Sequence, residues 1–145
     1  MVKTVIHANI PLPVSQVFQH VSQLENMVEY NGSILSSEVK SGQEGGLPVY
    51  LIDVDIGIKK FKGEYKVSEF IPNEKIVASC TLSDMKFTDT YIFREENGGT
   101  YFEITDVTEL KGLLSLSEFL LGPIMKTQMN GNLKSLLKIL LPQEG

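Results

Sequence analysis

The stretch MKFTDTYIFREENGGTYFEITDVTEL, residues 85–110, decides the fold of this chain. Its two halves alternate apolar with polar side chains, and Asn97-Gly98 between them is a strong signal for a two-residue hairpin turn. Centring the turn there places four cross-strand pairs on one face: Phe93 with Phe102, Tyr91 with Ile104, Asp89 with Asp106, and Phe87 with Thr108. Because that face is mostly apolar, it is predicted to be the inner face of an antiparallel sheet.

Four more strands precede this hairpin. Period-two runs lie near 34–40, 48–56, 58–71 and 75–83, so six consecutive strands form a predicted antiparallel meander. A weaker turn signal at Ser83-Asp84 extends the register to three further inner pairs: Cys80 with Phe87, Ala78 with Asp89, and Ile76 with Tyr91. The glycine-rich segment 41–47 is predicted to be the most flexible loop, and the turn at 71–75 gives no clean register.

A turn centred on Gly57-Ile58 orients the earlier strands. It pairs Asp55 with Lys60 and Asp53 with Lys62, and such opposite charges suit an exposed face. The other face then carries six apolar or aromatic side chains: Tyr50, Ile52, Val54, Phe61, Tyr65 and Val67. The predicted inner face of the sheet is therefore lined by Phe and Tyr with few polar groups.

Helical spacing marks both ends of the chain. A first strand at 2–10 stops at Pro11-Leu12-Pro13, because proline supplies no ladder donor. Two short helical segments follow, with apolar residues three and four apart: Val14, Val17, Phe18 and Val21, then Leu24, Met27 and Val28. The tail 113–141 has the same spacing and predicts a long helix with an apolar stripe: Met125, Met129, Leu133, Leu136, Leu137 and Leu140.

Two features interrupt the predicted long helix. Proline is unfavourable in a helix interior, so the main helix is expected to start near Pro123, after a short helical turn. Asn130-Gly131-Asn132 is poor helix sequence, and the glycine costs about 1 kcal/mol relative to alanine. It marks either a close approach or kink beside a ligand, or a tolerated weak spot.

Length, charge and cysteine content limit the class of protein to which this chain can belong. A chain of 145 residues needs only one core, which predicts a single domain over 1–145. The net charge of -5 and the lack of a basic stripe argue against a nucleic-acid partner. No apolar run approaches the roughly 20 residues of an integral membrane segment, and the first residues do not resemble a signal peptide. One cysteine, Cys80, favours a reducing, cytoplasmic location.

The residue content also limits the chemistry. The sequence has no glycine-rich phosphate loop and no paired cysteines, so neither a cofactor nor a metal is predicted. Cys80 lies beside Phe87 and Ala78 in the predicted register, where an apolar setting raises the pKa of the thiol and leaves it inert. The isolated His7 and His20 are interpreted as surface or structural residues.

Asp89 and Asp106 are the sharpest catalytic candidates, because the hairpin register places them side by side on the inner face. Two carboxylates in a poorly solvated site do not both ionise readily, so one can hold a proton while the other accepts one. With Tyr91 or Tyr65 as a hydroxyl donor, the pair can promote enolisation, cyclisation or dehydration of a carbonyl compound. In the alternative interpretation, the register is off by two or the acids lie at the solvated end of the sheet, as polar lining only.

The order of strand, two short helices, six-strand meander and long helix resembles the START-like superfamily, also called SRPBCC. This superfamily includes the birch-pollen allergens and the polyketide cyclase/dehydrase and lipid-transport group. Four stretches carry the resemblance: IPLPVSQVF at 10–18, VSQLENM at 21–27, GEYKV at 63–67 and LKSLL at 133–137. The second helix lacks the Trp of many members, and Tyr30 is the nearby large aromatic residue.

The resemblance implies an α+β helix-grip fold, in which a curved antiparallel sheet of about seven strands wraps around the C-terminal helix. It also implies a cavity between sheet and helix that holds an apolar small molecule such as a lipid or polyketide. The residues expected to bind that ligand are those of the inner face and the helix: Tyr50, Ile52, Val54, Phe61, Tyr65, Val67, Ala78, Cys80, Phe87, Asp89, Tyr91, Phe93, Phe102, Ile104, Asp106, Met125, Met129 and Leu133.

Three functions stay open at this point. The first is binding or carriage of an apolar small molecule. The second is a cofactor-independent cyclase, dehydratase or isomerase that uses Asp89, Asp106 and the tyrosines. The third is an interaction module, in which the long helix or the 41–47 loop contacts a protein partner. It ranks last because the sequence places no large exposed apolar patch.

Overall fold

A computed structural model describes residues 1–40, 46–57 and 59–142. These residues form seven strands, each antiparallel to its neighbours in the sheet: β1 Val2–Ile10, β2 Ile34–Val39, β3 Val49–Asp55, β4 Lys60–Ile71, β5 Lys75–Thr81, β6 Met85–Glu96 and β7 Gly99–Leu110. The helices are α1 Val14–Ser22, α2 Met27–Tyr30 and α3 Glu118–Leu140, with 3-10 turns at Leu24–Asn26 and Gly112–Ser117. The predicted helix-grip architecture is confirmed.

The strands form one sheet in the order β1-β7-β6-β5-β4-β3-β2. Every register predicted from the hairpins is present: Asp89 opposes both Asp106 and Ala78, Tyr91 opposes Ile104, and Asp53 opposes Lys62. Asn97 and Gly98 both have positive φ, as the turn requires. The turn at 71–75 has Asn73 at a φ of 63°, and a bulge between Val67 and Glu69 explains why its register is irregular. Ile58 and residues 41–45 of the predicted flexible loop lie outside the described residues.

The start of the long helix differs from the prediction. Helix α3 begins at Glu118 and contains Pro123 within its second turn. An early proline sacrifices only one backbone bond, that to the carbonyl of Phe119, so the helix passes through it. A side chain at Gly131 would meet no atom within 4 Å. Gly131 is therefore a tolerated weak spot on the exposed side of the helix, and no neighbour approaches it closely.

Two different helices cover the inner face of the sheet. Helix α1 buries Val17, Phe18 and Val21, and the Phe18 ring packs edge-on against Phe93 with ring centroids 5.0 Å apart. Helix α3 buries Leu121, Met129, Leu133 and Leu136 over the other part. The α1 side is solidly packed, whereas a cavity remains under α3.

Candidate functional site

The cavity lies between the inner face of the sheet, α2 and α3, and has a volume of about 100 Å³. Typical sites for drug-sized ligands occupy about 300–1,000 Å³. A pocket of roughly 150 Å³ is enough for a benzene ring. In the conformation described here, the space is smaller than that pocket and therefore suits at most one small ring.

The structure brings eleven of the predicted ligand-binding residues together around this cavity. They come from four strands and from α3: Ile52, Val54, Tyr65, Phe87, Asp89, Tyr91, Ile104, Asp106, Met125, Met129 and Leu133. The sheet contributes alternate residues of each strand, and α3 contributes residues three or four apart. These two periodicities are what made the residues recognisable in the sequence.

The other seven predicted residues are buried outside the cavity lining, which corrects the prediction for Tyr50, Phe61, Val67, Ala78, Cys80, Phe93 and Phe102. Phe93 and Phe102 face inward as expected, but the Phe18 ring of α1 fills the space above them. Phe61 packs against Phe87, with centroids 6.1 Å apart. Inward orientation was predicted correctly, whereas the position of the covering helix was not available from strand periodicity.

Sequence reasoning missed the residues that close the cavity from other elements. They are Ile6 of β1, Met27 and Tyr30 of α2, the segment from Asn31 to Ile34 except Gly32, Ile56, Met85, Thr108, and Leu121, Gln128, Asn132 and Leu136 of α3. Thr108 was in the predicted inner register opposite Phe87, and Met27 had helical spacing, so both carried a signal. Ile6 carried none, because its pairing with Ile104 joins distant parts of the chain.

A hydrogen-bonded polar cluster lies at the sheet side of the cavity. The Tyr65 hydroxyl donates to Asp89 Oδ2 at 2.5 Å and is 3.0 Å from the Tyr91 hydroxyl. Asp106, opposite Asp89 across the hairpin, accepts a 2.6 Å hydrogen bond from the Thr108 hydroxyl. Asp89 and Asp106 both belong to the cavity lining. A ligand in the cavity therefore meets an acid and two phenols at one place in an apolar lining.

Burial and charge hold a proton on this cluster. Desolvation raises the pKa of Asp89 well above its ordinary value, and the negative charge and hydrogen bonding of Asp106 raise it further. The bond from Tyr65 opposes this shift without cancelling it. Burial also raises the pKa values of Tyr30, Tyr65 and Tyr91, so these phenols stay protonated. The cluster thus presents a carboxyl group whose protonated form is favoured, together with phenolic hydroxyls that can donate hydrogen bonds.

The raised pKa of Asp89 predicts a pH-dependent stability. An unfolded Asp titrates near pH 3.9, so the folded protein binds more protons from about that pH up to the folded pKa. The free energy of unfolding should therefore be greatest below about pH 4 as far as this group is concerned, and fall as the pH rises. Asp89→Asn cannot ionise and should lose less stability over this range. Urea unfolding at about pH 5 and about pH 8 measures the difference.

The control for that experiment is Asp53→Asn, which removes a carboxylate from the outer face opposite Lys62. Its stability should follow the wild-type dependence on pH. If Asp89→Asn also follows the wild type, then Asp89 carries no excess proton in the folded state.

Polar side chains of α3 connect it to the loop before β2. Gln128 Nε2 donates to the Ser33 hydroxyl, and Asn132 Oδ1 accepts from the Gly32 amide at 3.2 Å. Ser33, Gln128 and Asn132 also belong to the cavity lining. The helix is thus held over the cavity by hydrogen bonds rather than by packing alone, and the cavity has a second polar edge.

Cys80 and the two histidines lie away from this cluster. Burial raises the pKa of the Cys80 thiol, and its Sγ lies 2.7 Å from where a Cβ of Gly63 would be. The thiol therefore fills the space that this glycine leaves, as the predicted inert role requires. His7 stacks on Tyr101 outside the cavity, and His20 Nε2 is 3.9 Å from Glu29. Within residues 1–40, 46–57 and 59–142, no group of His, Cys, Asp and Glu could hold a metal ion.

No helix in the described ranges is long and apolar enough to cross a membrane. A comparison with curated proteins finds no match.

Solved structures share this fold. A protein from Thermus thermophilus superposes with a TM-score of 0.79 at 22% identity, covering 96% of this chain and 97% of its own. A START superfamily protein from Mycobacterium smegmatis gives a TM-score of 0.69 at 17% identity, covering 95% and 93%. The di-domain ARO/CYC protein BexL of the BE-7585A biosynthetic pathway gives 0.69 at 20% identity, covering 98% of this chain and 50% of its own. These structures confirm the predicted helix-grip fold.

The sequence itself identifies the family. Residues 1–140 match the family described as polyketide cyclase / dehydrase and lipid transport. This match covers every strand and all three helices, and it ends at the last residue of α3. Together with the sheet, the helix and the cavity between them, it shows that the chain belongs to the polyketide cyclase / dehydrase and lipid transport family.

Proposed function

We propose that residues 1–145 act as one domain that binds or carries an apolar small molecule in the cavity under α3. The observation that carries this proposal is the lining: apolar side chains from sheet and helix surround a buried cluster of Asp89, Tyr65 and Tyr91. An apolar ligand with one hydroxyl or carbonyl oxygen would satisfy that cluster. Buried hydrogen-bonding groups discriminate strongly between ligands that do and do not pair with them.

The size of the cavity restricts what fits without rearrangement. About 100 Å³ suits a small ring, whereas a lipid or a polyketide needs more room. The hydrogen bonds of Gln128 and Asn132 to the loop before β2 are few and exchangeable, so α3 is the wall that can move outward. The family description, which includes lipid transport, supports a ligand of this larger class.

A cytoplasmic location forms part of the proposal. The support is the single cysteine of the sequence, which is buried under Gly63 and carries a thiol of raised pKa. Fluorescence of a tagged chain in intact cells would test this location directly.

The binding test uses 1-naphthol, an apolar probe with one hydroxyl, and naphthalene, which has none; the two rings of either probe require the proposed outward movement of α3. We expect the protein to bind 1-naphthol in fluorescence titrations, and Met125→Trp, which fills the cavity from α3, to weaken binding about tenfold or more. Naphthalene should bind more weakly than 1-naphthol, because it leaves the Asp89 cluster unpaired.

Thr127→Trp is the matched control, since Thr127 is an exposed residue of the same helix. It should bind 1-naphthol like the wild type. Circular dichroism checks that both variants fold. Absence of binding by the wild type, or equal affinity in Met125→Trp, would contradict the proposal.

A second candidate function is a cofactor-independent cyclase, dehydratase or isomerase. The observation that favours it is a protonated Asp89 beside Asp106 in the cavity wall. In an enolisation, the Asp89 carboxylic acid gives its proton to the carbonyl oxygen while the Asp106 carboxylate accepts the proton from the neighbouring carbon. The pair then still holds one proton. The family includes polyketide cyclases and dehydrases as well as lipid-transport proteins, so membership supports either function.

A further inference from the structure

Five large apolar side chains are exposed on one side of the molecule. Leu113, Leu116 and Phe119 are 89%, 72% and 78% exposed, and Leu120 and Ile124 are about half exposed. Leu113, Leu116, Leu120 and Ile124 follow each other at spacings of three, four and four residues, so they share one side of the helical segment. We call these five residues the apolar patch. The sequence alone did not predict it: the predicted stripe begins at Met125, and the segment before it was predicted only as a short helical turn.

Helix α3 is apolar on both sides along its first half. On the inner side, Leu121 and Met125 line the cavity, while Leu120 and Ile124 face outward. Further along, the exposed positions become polar: Lys126, Thr127, Asn130, Gly131, Lys134 and Lys138. A helix that is apolar all round is normally covered on all sides, by protein or by lipid. The apolar patch is therefore expected to be covered by a binding partner, either protein or lipid.

The charge around the apolar patch indicates which occupant fits. Between 111 and 126 the chain has two lysines, Lys111 and Lys126, and one acid, Glu118, which gives +1 beside the patch in a protein of net charge -5. Glu118 is half-buried and accepts a hydrogen bond from the Leu110 amide at 2.9 Å. The nearby Asp84, whose carbonyl accepts from the Lys111 amide, is neutralised by Lys59 at 2.6 Å. Lysines thus dominate the field at this end of the molecule.

We infer that the apolar patch docks on an anionic lipid bilayer. Phe119 and the four aliphatic side chains enter the boundary between headgroups and acyl chains, and Lys111 faces the phosphates. Lys126 lies beside them, with its Nζ donating to the Val5 carbonyl at 2.5 Å. Apolar burial and attraction to anionic lipid together set the strength of such binding. Each lysine near the surface adds to it and loses effect as salt rises.

Docking in this way places the cavity next to the bilayer. Leu121 and Met125 are on the same turns of α3 as Leu120 and Ile124, so one helix separates the cavity from the lipid. An apolar ligand could then pass between bilayer and cavity without crossing water. The docking itself does not depend on the proposed ligand function, since it requires only the outer side of the helix.

The test is flotation of the full chain with vesicles of phosphatidylcholine alone and of phosphatidylcholine mixed with phosphatidylglycerol. We expect the wild type to float with the mixed vesicles, and high salt or pure phosphatidylcholine to reduce the bound fraction. Phe119→Glu should weaken binding about tenfold or more, because it removes a large apolar side chain and adds an acid.

The matched control is Leu35→Glu, the same change of charge at a half-exposed residue of β2, at the opposite edge of the sheet from β1. It should float like the wild type. Three results would overturn the inference: wild type that stays unbound with mixed vesicles, equal loss in both variants, or a dimer in sedimentation equilibrium that Phe119→Glu dissociates without any vesicle binding. Because the cavity stays intact in Phe119→Glu, titration with 1-naphthol separates this result from the binding proposal.

Discussion

Asp89→Asn is expected to slow proton exchange at the carbon beside a bound carbonyl by about 100-fold or more, if the protein is an enzyme of the proposed class. The physical reason is the protonation of the pair. Burial and Asp106 favour the protonated form of Asp89, and an amide in its place cannot deliver a proton to a carbonyl oxygen. Asp106→Asn should have a comparable effect, because it removes the group that accepts the proton from carbon. The shape of the cavity is nearly preserved in both.

Cyclohexanone in deuterated water is a suitable probe, since a single ring fits a cavity of about 100 Å³. Nuclear magnetic resonance follows deuterium uptake beside the carbonyl with and without protein. Asp53→Asn, on the outer face of β3, controls for the loss of one carboxylate. Unchanged rates in both Asp89→Asn and Asp106→Asn would exclude catalysis by this pair. Normal binding of 1-naphthol by the same variants would then leave carriage as the function.

The second large effect concerns stability. Phe102→Ala should lower the free energy of unfolding by about 3–5 kcal/mol, because the ring is fully buried and its loss leaves a hole that α1 cannot fill. Phe102 packs against Phe93, with centroids 5.2 Å apart, and Phe93 packs against Phe18 of α1. Urea unfolding measures the change. The affinity for 1-naphthol should stay close to that of the wild type, because this ring lies outside the cavity lining.

Phe87→Ala is the matched comparison, the same truncation at a residue that lines the cavity. Its ring already faces empty space on one side, so fewer contacts are lost and the destabilisation should be smaller. The enlarged cavity should instead change which ligands bind. If Phe102→Ala weakened 1-naphthol binding more than Phe87→Ala did, the boundary of the cavity would be misplaced.

Phe102 and Phe87 show how much of the candidate site could be predicted from the sequence. Both were correctly predicted to face inward, because Asn97-Gly98 fixes the register of β6 and β7 by local turn chemistry. The Asp89 and Asp106 pairing followed from the same turn and is confirmed. Strand periodicity carries no information about which helix covers which end of a sheet. The sequence therefore predicted the inner face but not its division between α1 and the cavity.

The sequence also did not predict where α3 starts or that the apolar patch is exposed, and the two failures have related causes. The main helix was expected to start near Pro123, yet α3 begins five residues earlier, at Glu118. The packing of Leu121 outweighs the one backbone hydrogen bond that the proline removes. In the sequence, eight of the thirteen residues at 113–125 have large apolar side chains, so spacing alone does not distinguish inner from outer ones. Only the contacts of the folded chain show that Leu121 is buried while Phe119 is exposed.

The order of the strands has a consequence for synthesis on the ribosome. Strands β2 to β7 are joined by successive hairpins and can pair as they emerge, but β1 pairs only with β7, with Val2 opposite Thr108. The first strand to leave the ribosome must therefore wait, unpaired, until the last strand has followed it. Such non-local pairing slows folding relative to local hairpins. Closure of the sheet by β1 is thus expected to be the late, rate-limiting event, with the nascent N-terminal segment open to chaperones until then.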